Sequence, residues 1–243
     1  VRPLLVARNL SRHFGGLKAV DMVDFAVNPG EVRAVIGPNG AGKTTLVNLL
    51  CGRIEPTTGV IGFSGQDITR LPAHRRVRLG VAYTFQITSV FPNLPVYDNI
   101  ALAAQRTLAD GRSRKALGAA VDEAMRHVGL TERASTQAAA LAYGHQRLLE
   151  IAMGLALRPK LLILDEPTQG LSDGEIGNFI KLVRDIRNET TVLLIEHNME
   201  VVMKLADRIT VMDRGRILAE GAPRSIRANA KVQRAYLGTA ADG

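Results

Sequence analysis

Nine consecutive residues, GPNGAGKTT from Gly37 to Thr45, constrain this chain more than any other stretch. They fit the pattern G-x-x-x-x-G-K-[ST] and sit between an apolar run, VRAVI, and a helical pattern, GKTTLVNLLCG. A buried strand must therefore deliver the chain into a tight turn that opens a helix. Gly37, Gly40 and Gly42 let the backbone close around phosphate oxygens, with Pro38, Asn39 and Ala41 completing the loop. Successive N–H groups and the helix N-terminus supply positive potential there. Lys43 is placed to reach β- and γ-phosphates, Thr44 to offer its hydroxyl to Mg²⁺, and Thr45 to extend the nucleotide contacts.

Such a loop needs an acidic partner at the end of another parallel strand, and LLILDEP supplies one. Four apolar residues bury the strand, so Asp165 emerges at its C-terminal edge, where open α/β sheets bind ligands. Asp165 is expected to hold Mg²⁺, and Glu166 to act as general base on the attacking water. Read alone, the pair also fits a solvated acidic turn before Pro167; the phosphate loop upstream favours the metal-and-proton reading.

The rest of the chain reads as a parallel α/β pattern with a helical interruption. LLVARNL and AVDMVDFAV alternate as strands, and GVIGFSGQDI reads as a short hairpin. GVAYTF, LLILDEP, TVLLIEH and RITVMDRGRIL read as further strands, the last as one piece. Between them, KALGAAVDEAMRHVGL places Leu117, Val121, Ala124, Met125 and Val128 on one helical face. In LAYGHQRLLEIAM the spacing predicts a helix from Gln146 onward. No apolar run approaches the roughly 18–20 residues a membrane span needs, and the opening stretch is too short for a signal peptide. A lone cysteine, Cys51, excludes an internal disulfide and a multi-cysteine zinc site, suits a reducing compartment, and reads as a small core residue. The net charge of +8 points to an anionic partner or to a solvated basic surface. With 4% aromatics and no Trp, base stacking on nucleic acid is not expected.

These motifs in this order resemble the ATP-binding cassette of ABC transporters over essentially the whole chain. The resemblance implies a P-loop NTPase (RecA-like) α/β core with an antiparallel β subdomain and an inserted α-helical subdomain. It implies one domain over residues 1–243, with 1–86 and 159–243 forming the β subdomain and core, and 87–158 the helical part. It also implies Phe14 stacking on adenine, Gln86 sensing Mg²⁺ on a loop facing the membrane partner, and His197 as the switch histidine. Leu141, Ala142, Tyr143, Gly144, His145 and Gln146 stand at the signature, which such proteins offer in trans to a second chain's ATP. ATP and Mg²⁺ are the implied cofactors, and Lys43, Glu166 and His197 the catalytic set. The implied partners are a second ATPase chain, identical or paralogous, transmembrane permease subunits and, indirectly, a solute-binding protein. The implied location is the cytoplasmic face of the cell membrane.

TFQITSVFPNLPVYDNI, the Tyr143–Gly144 pair and the tail EGAPRSIRANAKVQRAYLG are similar to ATPases of branched-chain amino-acid importers, a group that also handles amides and urea. The lipopolysaccharide-export ATPases share the tail but differ in the signature. Two departures from the family pattern stand out. Ala142 replaces the usual signature Ser, leaving the Gly144 backbone and the helix N-terminus available for that contact, with Tyr143 or His145 as alternative substitutes for the lost Ser bond. Ser172 stands where an Asp is usual, with Asp173 beside it. The basic run RLPAHRRVR, Arg70 to Arg78, reads either as a headgroup-facing patch or as a solvated surface.

Overall fold

The computed structural model describes residues 2–84, 90–105 and 114–237. Its frame is a six-stranded sheet built from β3 (Val32–Ile36), β6 (Val81–Thr84), β7 (Leu161–Asp165), β8 (Thr191–Ile195), β9 (Arg208–Asp213) and β10 (Arg216–Gly221). The order is β10-β9-β3-β8-β7-β6, parallel except for β10. β3, β7 and β8 are buried along their full length, as central parallel strands covered on both faces must be. Side-chain alternation divides them: Leu161, Ile163, Leu193 and Ile195 face one core, and Leu162, Leu164, Val192 and Leu194 another.

The first of these cores is closed by α1 (Lys43–Cys51) and a second, antiparallel sheet. That sheet runs β2 (Leu17–Val27), β1 (Leu5–Phe14), β4 (Thr58–Phe63), β5 (Gln66–Asp67). Leu46, Leu49 and Leu50 of α1 are fully buried there, and Cys51 joins them as a core residue. The other core is covered by α3 (Val96–Gln105), α4 (Arg114–Val128), α5 (Tyr143–Ala156) and α6 (Asp173–Ile186). The expected face of α4 is the buried one, with Val121, Ala124, Met125 and Val128 inside and Leu117 packed against them. α7 (Met199–Leu205), α8 (Pro223–Arg227) and α9 (Ala230–Leu237) follow β8 and β10, and residues from each pack with β9 in a third, smaller core.

Two local readings change. RITVMDRGRIL is a hairpin: Arg214 and Gly215 take φ of 46° and 78°, and β10 turns back antiparallel on β9. Two consecutive left-handed residues make the tight turn whose twist suits a hairpin; Arg at the first of them hides it from a sequence reading. The signature helix starts at Tyr143, before Gln146, because Ala142 already accepts from the Gln146 N–H at 3.1 Å. Tyr143 to Gln146 thus form its first turn.

The basic run is also divided by the fold. On α2 (Ala73–Leu79), Arg76 is 1% exposed, and burial pulls its pKa below the usual arginine value. Its guanidinium donates to Leu49 O at 2.7 Å, Leu50 O at 2.8 Å, Leu71 O at 2.8 Å and Thr69 O at 3.0 Å. A fixed cation is thus seated on carbonyls at the C-terminus of α1, where Leu49 O also accepts from the Gly52 N–H at 3.3 Å. Gly52 is required for the approach, since a Cβ there would lie 2.6 Å from Arg76 Nε. Arg76 is therefore unavailable to a headgroup. Arg76→Met should strip those carbonyls of a charged donor and cost about 3 kcal/mol, a fall in Tm of roughly 6–12 °C. A thermal melt of the variant shifted by less than about 2 °C would contradict this role.

Candidate active site

The phosphate loop leaves the buried end of β3 and is shaped by contacts that only glycine permits. A Cβ on Gly37 would lie 2.3 Å from Met212 O, and one on Gly42, at φ 97°, would lie 2.2 Å from Ala19 O. Gly42 is also the N-cap of α1 and brings no side chain to it. The first-turn amides are therefore left to an anion. Asn39, Gly40 and Thr44 are exposed, whereas Gly37, Ala41 and Lys43 are buried. Lys43 Nζ donates to Gly37 O at 2.8 Å and Pro38 O at 3.1 Å, so two of its three N–H bonds staple the loop. Burial lowers its pKa, opposed by the charges of Glu166 and Asp165.

The acidic pair arrives at the same edge from β7. Asp165 is 2% exposed and accepts from the Tyr83 hydroxyl at 2.9 Å. Burial raises the Asp165 pKa, partly offset by that hydrogen bond, and burial together with the Asp165 charge raises that of Tyr83. The next residue, Glu166, takes φ 49° and anchors its N–H on Ile195 O of β8 at 2.9 Å. This left-handed kink turns the chain off the strand, a conformation that a non-glycine residue holds only under surrounding restraint. Glu166 Oε1 meets His197 Nε2 at 2.8 Å, joining residues that leave the adjacent ends of β7 and β8.

Glu166, His197 and the loop residues Asn39 to Thr45 line one cleft of about 500 Å³, shared with Leu17, Lys18, Ala19 and Arg214. A smaller hollow of about 390 Å³ between α4 and the segment before β8 contains none of these groups. Phe14 stands outside the cleft lining. It is an exposed aromatic at the end of β1, with the Arg12 guanidinium 4.6 Å from its ring centroid. Gln86 lies outside the described residues.

None of Leu141 to Gln146 lines the cleft. Instead this segment is tied to the loop after Glu166. A Cβ on Gly170 would lie 2.9 Å from the Tyr143 ring, and one on Gly144 would lie 2.0 Å from Glu175 Oε1. The Gly144 backbone is therefore covered, not open, in the single chain. Glu175 also accepts from Ser172 N at 2.9 Å and Ser172 Oγ at 2.7 Å, so Ser172 acts as a capping-box N-cap of α6. The Ser172 bonds, then the nearby His145, hold the Glu175 carboxyl below the usual range.

With this geometry in place, comparison with known proteins is informative. The family model described as ABC transporter matches residues 20–169. The chain belongs to the ABC transporter ATPase family. A second model, branched-chain amino acid ATP-binding cassette transporter, matches residues 216–242 of this ABC ATPase. The high-affinity branched-chain amino acid transport ATP-binding protein LivG of Escherichia coli (strain K12) is 42% identical over 253 residues, covering 98% of this chain and 99% of that protein. The lipopolysaccharide export system ATP-binding protein LptB of Haemophilus influenzae is 33% identical, covering 97% of each. A crystal structure of the ADP conformation of an ATP-binding cassette superposes with a TM-score of 0.86 at 28% identity, covering 98% of this chain and 100% of that one. The expected fold class is the observed one, and this ABC ATPase binds nucleotide. Among the described residues no helix is long and apolar enough to cross a membrane.

Sequence reasoning missed Tyr83, Thr168 and Glu196, because each matters through a partner far along the chain, and Arg214, which the β9–β10 turn carries to the cleft. The raised pKa of Asp165 has a consequence for stability. Its folded value exceeds its unfolded one, so the contribution is present below the unfolded pKa and lost as pH rises through the folded pKa. Holding Asp165 in its ionised form therefore costs stability. Asp165→Asn, which keeps an acceptor for Tyr83, should raise the Tm of the nucleotide-free chain by roughly 2–4 °C, about 1 kcal/mol. A fall of similar size in a thermal melt would show that the carboxylate is a structural stabiliser instead.

Proposed function

We propose that this chain is the ATP-hydrolysing subunit of an importer of branched-chain or other hydrophobic amino acids. The observation that carries the catalytic part is the Glu166–His197 contact of 2.8 Å at the wall of the phosphate-loop cleft. The loop amides of Gly40 to Thr45 and the free proton of Lys43 hold the β- and γ-phosphates, and Phe14 meets the adenine. Glu166 takes a proton from water as the water oxygen attacks the γ-phosphorus; the bond to the bridging oxygen breaks and its electron pair leaves on ADP. His197 holds Glu166 in place and faces the γ-phosphate.

The oxygen donors of Thr44 and Asp165 suit a hard divalent ion, and the buried Asp165 carboxylate has one oxygen not used by Tyr83. These two residues, with Gln86, would hold Mg²⁺, which neutralises charge building on the phosphates.

Two observations support a composite site: the signature lies away from this chain's own cleft, and α5 begins without a side-chain cap at Ala142. A second ATPase chain, identical or paralogous, brings Leu141 to Gln146 to the γ-phosphate. Closing the pair drives permease subunits that hold the two chains at the cytoplasmic face of the membrane, with residues 87–158 as the helical subdomain that meets them. Import of amino acids is supported by the match at residues 216–242 and by the likeness to LivG across nearly all of both chains. The lesser identity with LptB places lipopolysaccharide export second.

Glu166→Gln keeps size and hydrogen bonding but cannot accept a proton. Turnover of ATP should fall by about 10²- to 10⁴-fold with ATP binding retained in an equilibrium titration. Unchanged turnover would remove Glu166 from the chemistry.

A further inference from the structure

Glu196 lies one residue before His197 and is 3% exposed. A buried carboxylate is costly unless its oxygens are satisfied, and here both are. Oε1 accepts from Thr168 N at 3.0 Å and from the Thr168 hydroxyl in a short contact. Oε2 accepts from His197 N at 2.9 Å and Asn198 N at 3.0 Å. The two oxygens therefore serve different loops. Thr168 lies on the loop that leaves β7 and carries Glu166; His197 and Asn198 lie on the one that leaves β8. Asn198 in turn caps α7, accepting from Glu200 N at 3.0 Å and Val201 N at 3.2 Å, so the second loop is also fixed downstream.

The Glu166–His197 contact spans the same two loops on their exposed side, where the His197 side chain is 41% accessible. Water competes for such a contact at its His197 end, and a single bond between two side chains, one of them exposed, does not by itself fix the distance between two loops. The bonds that fix it are the ones beneath. We infer that Glu196 is a positioning residue: one buried carboxylate clamps the two loops and so sets the separation of Glu166 and His197. This rests on the proposed catalytic role of that pair.

The clamp depends on having two acceptor oxygens. In Glu196→Gln one oxygen becomes an NH₂ group, which faces N–H donors in either orientation, so one loop must be released. A misplacement of the order of 1 Å in a catalytic group is enough to lower a rate by up to about 100-fold.

The test is steady-state ATP hydrolysis by the full chain. Glu196→Gln should lower kcat by about 10- to 100-fold with KM for ATP within roughly 3-fold of wild type. On a His197→Ala background the same substitution should add less than about 3-fold, because the pair it positions is already broken. Equal losses in both backgrounds, or an unchanged kcat, would overturn the inference. If Glu196→Gln does not fold, Thr168→Val removes only the hydroxyl donor and should show a smaller loss, again in kcat; an unchanged kcat or a loss confined to KM overturns it equally. If Glu166→Gln and His197→Ala each turn over ATP like wild type, the catalytic reading fails and the clamp is judged by amide hydrogen exchange. Faster exchange at Thr168 and His197 in Glu196→Gln supports it, and unchanged exchange at both refutes it.

Discussion

Backbone packed directly on backbone at Gly42 is the constraint from which the rest of the site follows. Three segments meet there. A Cβ on Gly42 would strike Ala19 O, and one on Gly215 would lie 2.7 Å from Lys18 O. Gly215 donates to Ala41 O at 3.0 Å and accepts from Asp21 N at 2.9 Å. Arg216 adds charged bonds to Asp21 Oδ2 at 2.6 and 3.0 Å, and these hold the Asp21 carboxyl below its usual range. The phosphate loop, the β1–β2 hairpin and the β9–β10 turn are thereby locked at one point. The cleft opens where they meet, which is why Lys18 and Arg214 join Lys43 in its lining. A mouth with Lys18, Lys43 and Arg214 over open helix amides is suited to a polyphosphate.

The same edge of the sheet brings in the groups proposed to be catalytic. Parallel strands β7 and β8 end in register, Asp165 beside Ile195, so the residues that follow each end, Glu166 one step on and His197 two, lie close together. Glu166 and His197 inherit that neighbourhood. What the strands cannot supply is a second chain. The signature does not line the cleft and, in the isolated chain, Glu175 covers Gly144 while Tyr143 packs on Gly170. Ser172 and Glu175 thus do within the chain what a helix cap does, and they link the signature to the loop that carries Glu166.

Much of this was legible in the sequence where structure and function are encoded in one contiguous stretch. The phosphate loop is such a case, since strand, turn and helix lie within Val32 to Cys51. Asp165 and Glu166 were legible because an apolar strand must end in the ligand edge. The β9–β10 hairpin was not, because Arg214-Gly215 lacks the Asn-Gly or Asp-Gly signal and both arms are apolar. The early start of α5 was obscured by Gly144, a poor helix former in isolation. Tyr83, Glu196 and Arg76 escaped for a different reason: each acts on groups 26 to 82 positions away, through sheet register or burial, which spacing does not report.

The central claim is that the cleft at Gly37–Thr45 holds ATP with its γ-phosphate toward Glu166 and His197, and that a second chain's signature completes the site. A crystal structure of Glu166→Gln with Mg²⁺ and ATP tests it most directly. The account predicts phosphates on the amides of Gly40 to Thr45, adenine beside Phe14, and Leu141 to Gln146 of a second copy over the γ-phosphate. Phosphates bound elsewhere, or a γ-phosphate left facing solvent with no second chain upon it, would contradict it.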